Sequence, residues 1–234
     1  MKVYLKIITV FAIILLVIVL FFAPLAIYLF NIDFYDRLYD QNSVYEKLNK
    51  DDVLGMTKEI FNFFKYQDEL DGQIRYADVS RSSVAFFTEN EISHMVDVRD
   101  LIFKILLLFY ISLTLLILLL TLLLILERKH IKRLKGTGLV FVISSSVVLF
   151  LFIILYILSM NFSQLFDNFH LLFFPQGNFM FDSNSLLITL FPFNFFYQYF
   201  IRLAIGSIFL SFIFLFIGIL FLNIHKLFQK RLAV

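Results

Sequence analysis

The sequence predicts an all-α integral membrane protein with four transmembrane helices, a sizeable extracytoplasmic segment between helices one and two, and a shorter one between three and four. Hydrophobic residues make up 61% of the chain and charged residues only 16%, whereas a soluble domain is nearer half apolar and a quarter charged. Mean hydropathy is +0.88. Four apolar runs, at about residues 7–30, 101–126, 139–160 and 199–222, reach the roughly 20 residues that a hydrocarbon layer about 30 Å thick requires.

The first run is too long for the apolar region of a signal peptide, which has about 7–15 residues. It continues past the poor cleavage candidate Ala23-Pro24-Leu25-Ala26 and is expected to stay as an uncleaved anchor. In the other runs, Lys104 and Arg202 sit within about a turn of an end, where a long side chain can snorkel to the interface. The stretch 186–196 is apolar but too short to span, and Pro192 breaks it, so it is expected to be interfacial or re-entrant.

Orientation follows from the short flanks. Lys2 and Lys6, then Arg128, Lys129, Lys132, Arg133 and Lys135, then Lys226, Lys230 and Arg231 give ten basic residues against a single acid, Glu127. The positive-inside rule puts these flanks and both termini in the cytoplasm of a cell-membrane protein. Segments 31–100 and 161–198, which hold 17 of the 18 acids, then face outward. The whole chain, 1–234, reads as one polytopic membrane domain.

Within the first outer segment, Val53, Met56, Ile60 and Phe63 or Phe64 recur at helical steps between charged residues. That period predicts an amphipathic helix lying along the membrane surface. Residues 67–83 are polar and turn-rich, with Asp71-Gly72 the clearest turn signal. Thr88-Glu89-Asn90-Glu91 has capping-box spacing, so a helix is expected to start at Glu89 and run into the second span.

That helix puts His94 and Asp97 on one face. His94 precedes Leu101 by seven residues, about 10 Å above the apolar start, which is ester depth rather than hydrocarbon depth. The second outer segment repeats the spacing with Asp167 and His170, and Pro175-Gln176-Gly177-Asn178 then turns the chain. The remaining histidines, His130 and His225, lie in the basic cytoplasmic segments, so the two outer ones share a membrane face. A lone interfacial histidine is usually structural; two on one face, each with an aspartate three residues away, point to a shared titratable site.

Several chemistries are excluded. With no Cys there are no disulfides and no cysteine nucleophile. No Gly-x-Ser-x-Gly elbow, His-Glu-x-x-His helix or phosphate loop occurs. No metal-ligand spacing is present, and neither metal nor cofactor is expected. No nucleic-acid motif appears. The sequon Asn161-Phe162-Ser163 is short and common enough to be accidental. The middles of the spans are aliphatic and Phe-rich, with Ser144-Ser145-Ser146 the polar exception, which disfavours an ion-coupled transporter. A non-catalytic scaffold or assembly factor, binding a partner through the long outer segment, is the alternative to a catalytic site.

The pattern Glu91-x-x-His94-Met95-x-Asp97-Val98 before a span resembles a signature of the bacterial lipoprotein intramolecular transacylase (Lit) family. Phe169-His170-x-x-Phe173-Phe174, Asp182, and Leu187-Ile188-x-x-x-x-Pro192-x-x-Phe195-Phe196 resemble its second signature, and Asn31-x-x-Phe34-Tyr35 fits as well. The chain departs from the pattern at Phe179, where Trp is usual, and at Leu171, where an acid is common. The stretch between Asp182 and Leu187 is also one residue short. The resemblance implies an acyltransferase that moves the sn-2 acyl chain of a diacylglyceryl lipoprotein to the α-amino group of its N-terminal cysteine. Its partners would be that lipoprotein and membrane lipid. His94 would be the general base, Asp97 would orient it, and His170 would polarise the carbonyl or protonate the leaving oxygen; the roles of the two histidines are interchangeable. Glu91, Asp167, Phe173, Phe174 and Asp182 are expected to contact substrate.

Overall fold

A computed structural model describes residues 3–66, 74–75, 84–126 and 130–232. The turn expected at Asp71-Gly72 and the basic residues Lys2, Arg128 and Lys129 lie outside them. In chain order the helices are α1 (Val3–Tyr28), α2 (Ile32–Gln41), α3 (Lys50–Tyr66), α4 (Glu89–Leu126), α5 (His130–Ser159), α6 (Phe162–Phe173), α7 (Leu186–Leu190) and α8 (Phe193–Leu232), with a 3-10 turn at Val44–Glu46. The β structure among the described residues is a two-residue antiparallel ladder, Ile74–Arg75 on Val84–Ala85. α1, α4, α5 and α8 are long and apolar enough to cross a membrane. The chain is a multi-pass membrane protein.

Two compact units result. The first comprises residues 1–25, 106–158 and 203–234, and the second residues 26–105 and 159–202. In the first, Leu5, Ala12, Leu16 and Leu20 of α1 form a seam with Leu116 and Leu123 of α4 and Val140, Val148 and Phe152 of α5. Lipid tails are as apolar as leucine, so such helices are held by close approach and polar contacts. Both occur here. The Ser144 hydroxyl donates to the Ile13 carbonyl at 3.1 Å, and Ser207 to Phe21 at 3.1 Å. Gly138 and Gly218 let α5 and α8 touch: a Cβ on Gly218 would stand 2.9 Å from Phe141 Cβ and 3.0 Å from the Gly138 carbonyl oxygen.

The second unit has its own core. Asn31 caps α2 by accepting from the Phe34 amide. Phe34, Tyr35, Leu38 and Tyr39 of α2 then pack with Val53, Met56, Ile60 and Phe61 of α3, Leu186 and Leu190 of α7, and Phe195 of α8. The Thr57 hydroxyl donates to the Val53 carbonyl and so accepts from Tyr39. The apolar stripe of α3 is therefore covered by protein, not laid against a membrane surface: Val53, Met56, Ile60 and Phe63 are all buried. Periodicity reports that a face is apolar and leaves open what covers it. Residues 186–196 divide at Pro192. Pro192 separates the short α7 from α8, and α8 starts immediately after it, so the fourth long helix begins at Phe193. Proline is well tolerated where a helix starts, because its missing N–H is needed least there.

Candidate functional site

Thr88 and Glu91 form the reciprocal cap their spacing predicts. Glu91 Oε2 accepts from the Thr88 amide at 2.7 Å and the Thr88 hydroxyl at 2.9 Å, while Thr88 Oγ1 accepts from the Glu91 amide at 3.3 Å. The other carboxylate oxygen, Oε1, accepts from the Leu187 amide at 2.7 Å, at the start of α7. Glu91 is only 1% exposed. Its carboxylate ties the first turn of α4 to a segment 96 residues away.

One turn further along α4, His94 points into the same unit. His170 comes from the last turn of α6, whose N-terminus is capped by Asn161. Both imidazoles are buried, at 6% and 9% exposure, and they lie nearly parallel with ring centroids 5.9 Å apart. Phe174 touches both, 4.9 Å from His94 and 5.6 Å from His170. Phe181 flanks His94, while Phe166 and Phe179 flank His170. The two rings share one aromatic enclosure.

Polar contacts set their chemistry. His170 Nδ1 is 2.8 Å from the Phe166 carbonyl oxygen. That bond keeps the proton on Nδ1, so the neutral ring carries its lone pair on Nε2. Asp97 Oδ2 accepts from Gln176 Nε2 and Asn178 Nδ2, both at 2.6 Å. Asn178 Oδ1 and His94 Nδ1 are both buried with no hydrogen-bond partner among the described residues. Burial first, then the neighbouring His170, lowers the His94 pKa to about 4, against the opposing pull of Asn178 and Asp97. Burial also lowers that of His170, opposed by the Phe166 carbonyl and Asp167. Both rings are therefore neutral near pH 7, as bases that must accept a proton need to be.

The structure brings His94, His170 and Phe174 into contact, with Asp97 one amide away. Asp167 and Asp182 are exposed, and Phe173 packs on Phe169 beside the pair. The Glu91 carboxylate is occupied by protein donors. Sequence reasoning missed Gln176 and Asn178 as functional groups, although it placed the turn that carries them. Gly177 takes φ +78° between them, which only glycine adopts without cost. Among the described residues, no three His, Cys, Asp or Glu side chains converge as metal ligands.

The model of the family described as lipoprotein intramolecular transacylase Lit matches residues 7–196. The chain belongs to the Lit family. Solved structures of the membrane integral Lit from Bacillus cereus share its fold. One is 16% identical, with a TM-score of 0.69, and the match covers 100% of this chain and 99% of that one. A variant with one histidine changed to arginine gives 16%, 0.67, 99% and 95% for the same quantities. A variant with a histidine changed to alanine gives 18%, 0.66, 98% and 96%. No curated protein sequence matches. The protein is a membrane protein of lipoprotein-transacylase type, and the paired histidines sit on the Lit fold.

Proposed function

We propose that this Lit-family protein moves the sn-2 acyl chain of a diacylglyceryl lipoprotein onto the α-amino group of the same molecule's N-terminal cysteine, at the His94–His170 pair. The observation that carries the reading is two buried, neutral imidazoles 5.9 Å apart in one enclosure. The amine nitrogen attacks the ester carbonyl carbon, a C–N bond forms, and the nitrogen gives up a proton. His94 accepts it on Nε2, with Asn178, whose amide nitrogen Asp97 holds, as the side chain that favours the protonated ring. The pair then carries one extra proton. His94 Nε2 hands it to the Nε2 lone pair of His170, which delivers it to the glyceryl oxygen as the C–O bond breaks, and both rings end neutral. Because attack is intramolecular, positioning supplies much of the rate, which suits a site that uses no cofactor.

In this reading the ten basic residues of the flanks hold both termini in the cytoplasm. The second unit then stands at the outer face, with Asp167, Phe173 and Asp182 at the rim nearest the arriving lipopeptide.

The test follows conversion of a diacylglyceryl lipopeptide to its lyso-form by mass spectrometry. His94→Ala and His170→Ala should each reduce turnover by at least about 100-fold while the protein still accumulates in the membrane. Asn178→Leu should lower kcat with KM nearly unchanged, because it disturbs the base rather than the substrate contacts. Full activity in both single histidine variants refutes the assignment.

A further inference from the structure

A small cleft in the second unit is lined by Tyr28 at the end of α1, Phe34, Arg37, Leu38 and Gln41 of α2, and Arg202 of α8. Its volume is about 100 Å³, below the roughly 300–1,000 Å³ of sites that enclose a whole small molecule. Two exposed arginines from different helices are among its lining residues, and no acid is. Among the described residues neither Arg37 nor Arg202 makes an ion pair or a side-chain hydrogen bond. The nearest acid in sequence, Asp36, is engaged by Lys50 at 2.9 Å and by the Tyr45 hydroxyl at 2.6 Å, and Arg37 acts on it only through space, as the weakest of its partners. Asp33 and Asp40, a turn to either side of Arg37, do not line the cleft.

Like charges brought together without a counter-ion oppose each other, and an anion placed between them reverses the sign. Planar guanidinium forks match the oxygens of a phosphate with two parallel hydrogen bonds, and Gln41 adds a neutral donor. Arg202 lies only three residues into the apolar run that starts at 199, between Ile201 and Leu203. At 1.5 Å per residue that is about 4.5 Å inside its edge, so the long side chain leans back toward the helix N-terminus to bring its charged head to the interface, where phospholipid phosphates sit.

We infer that Arg37, Arg202 and Gln41 form a binding site for the phosphate of a membrane phospholipid, separate from the histidine pair. A diacylglyceryl group carries no phosphate, so the occupant is a second lipid and not the acyl donor. The site holds the phosphodiester, while the lipid tails remain in the bilayer.

The test uses the full chain, purified in dodecyl maltoside and stripped of lipid. Its thermal midpoint is followed as dioleoyl phosphatidylglycerol is added to the micelles, with dioleoylglycerol and inorganic phosphate as comparators. The phospholipid should raise the midpoint saturably, and neither comparator should. In Arg37→Gln/Arg202→Gln the half-saturating lipid fraction should rise about tenfold, whereas Arg37→Lys/Arg202→Lys should keep most of the response. An equal rise with dioleoylglycerol shows that the phosphate is not recognised and overturns the proposal. So does an equal rise with inorganic phosphate, which makes the ligand a free anion. An unchanged response in the glutamine variant removes the arginines from the site. None of these readings depends on acyl transfer.

Discussion

Replacing Glu91 with alanine should destabilise the protein at the N-terminal end of α4. The side chain is 1% exposed and satisfies the Thr88 amide, the Thr88 hydroxyl and the Leu187 amide at 2.7, 2.9 and 2.7 Å. The hydroxyl can turn to another partner, but the two amides are fixed. Loss of a cap costs about 1 kcal/mol, and an interior amide left without an acceptor costs about 1–3 kcal/mol. Together the penalty is about 3 kcal/mol. For a chain of this size each kcal/mol moves the midpoint by about 2–4 °C, so a drop of roughly 10 °C is expected in detergent thermal unfolding. Glu91→Gln keeps one carbonyl acceptor but turns an NH2 group toward a donor, and should fall about halfway between. Activity should decline with both, since His94 stands one turn further along the helix. A Glu91→Ala protein that melts within about 2 °C of the parent would show that the carboxylate does not join the two segments.

Acid should weaken the fold through His94. Its ordinary value is 6.5 and its folded value about 4, so between these pH values the unfolded chain binds more protons than the folded one. Stability is fully present above 6.5 and falls as the pH drops through that window. His170 acts in the same sense, while Asp97 pulls the other way. A lower midpoint at about pH 5 than at about pH 7.5, with a smaller gap in His94→Gln, is expected, and an identical gap refutes it. In the first unit, Gly218→Ala should cost about 1–3 kcal/mol, because its Cβ meets Phe141, Val142 and the Gly138 backbone within 3.0 Å. Gly136→Ala, where nothing lies within 4 Å, should be neutral or stabilising in the same melting assay.

What could be read from the sequence was largely what is local in it. The cap at Thr88 and Glu91 is written in four consecutive residues, and the start of α4 follows from it. The stripe of α3 was legible as a face, but its cover comes from α2, α7 and α8, and no window of α3 alone contains that information. Pro192 was legible as a break, and the helix that starts just beyond it reaches back six residues before the apolar run at 199. His94 and His170 were recognisable as candidates by residue type and membrane face. Asn178 was not: an amide in a turn looks like turn chemistry, and its bond to Asp97 spans 81 residues.

The long reach of the Glu91 and Asp97 contacts also sets an order of events during synthesis. α4 leaves the ribosome with its cap complete, but Gln176 and Asn178 are 79 and 81 residues behind Asp97, and Leu187 is 96 behind Glu91. Until the chain has passed α5, returned through α6 and reached α7, His94 has neither its partner ring nor its amide support. A nascent chain that has made only α4 therefore lacks every long-range contact that holds His94 and Asp97. In the proposed reading, acyl transfer has to wait for residues 170–187 to be made and packed, so no partial chain ending before them is active.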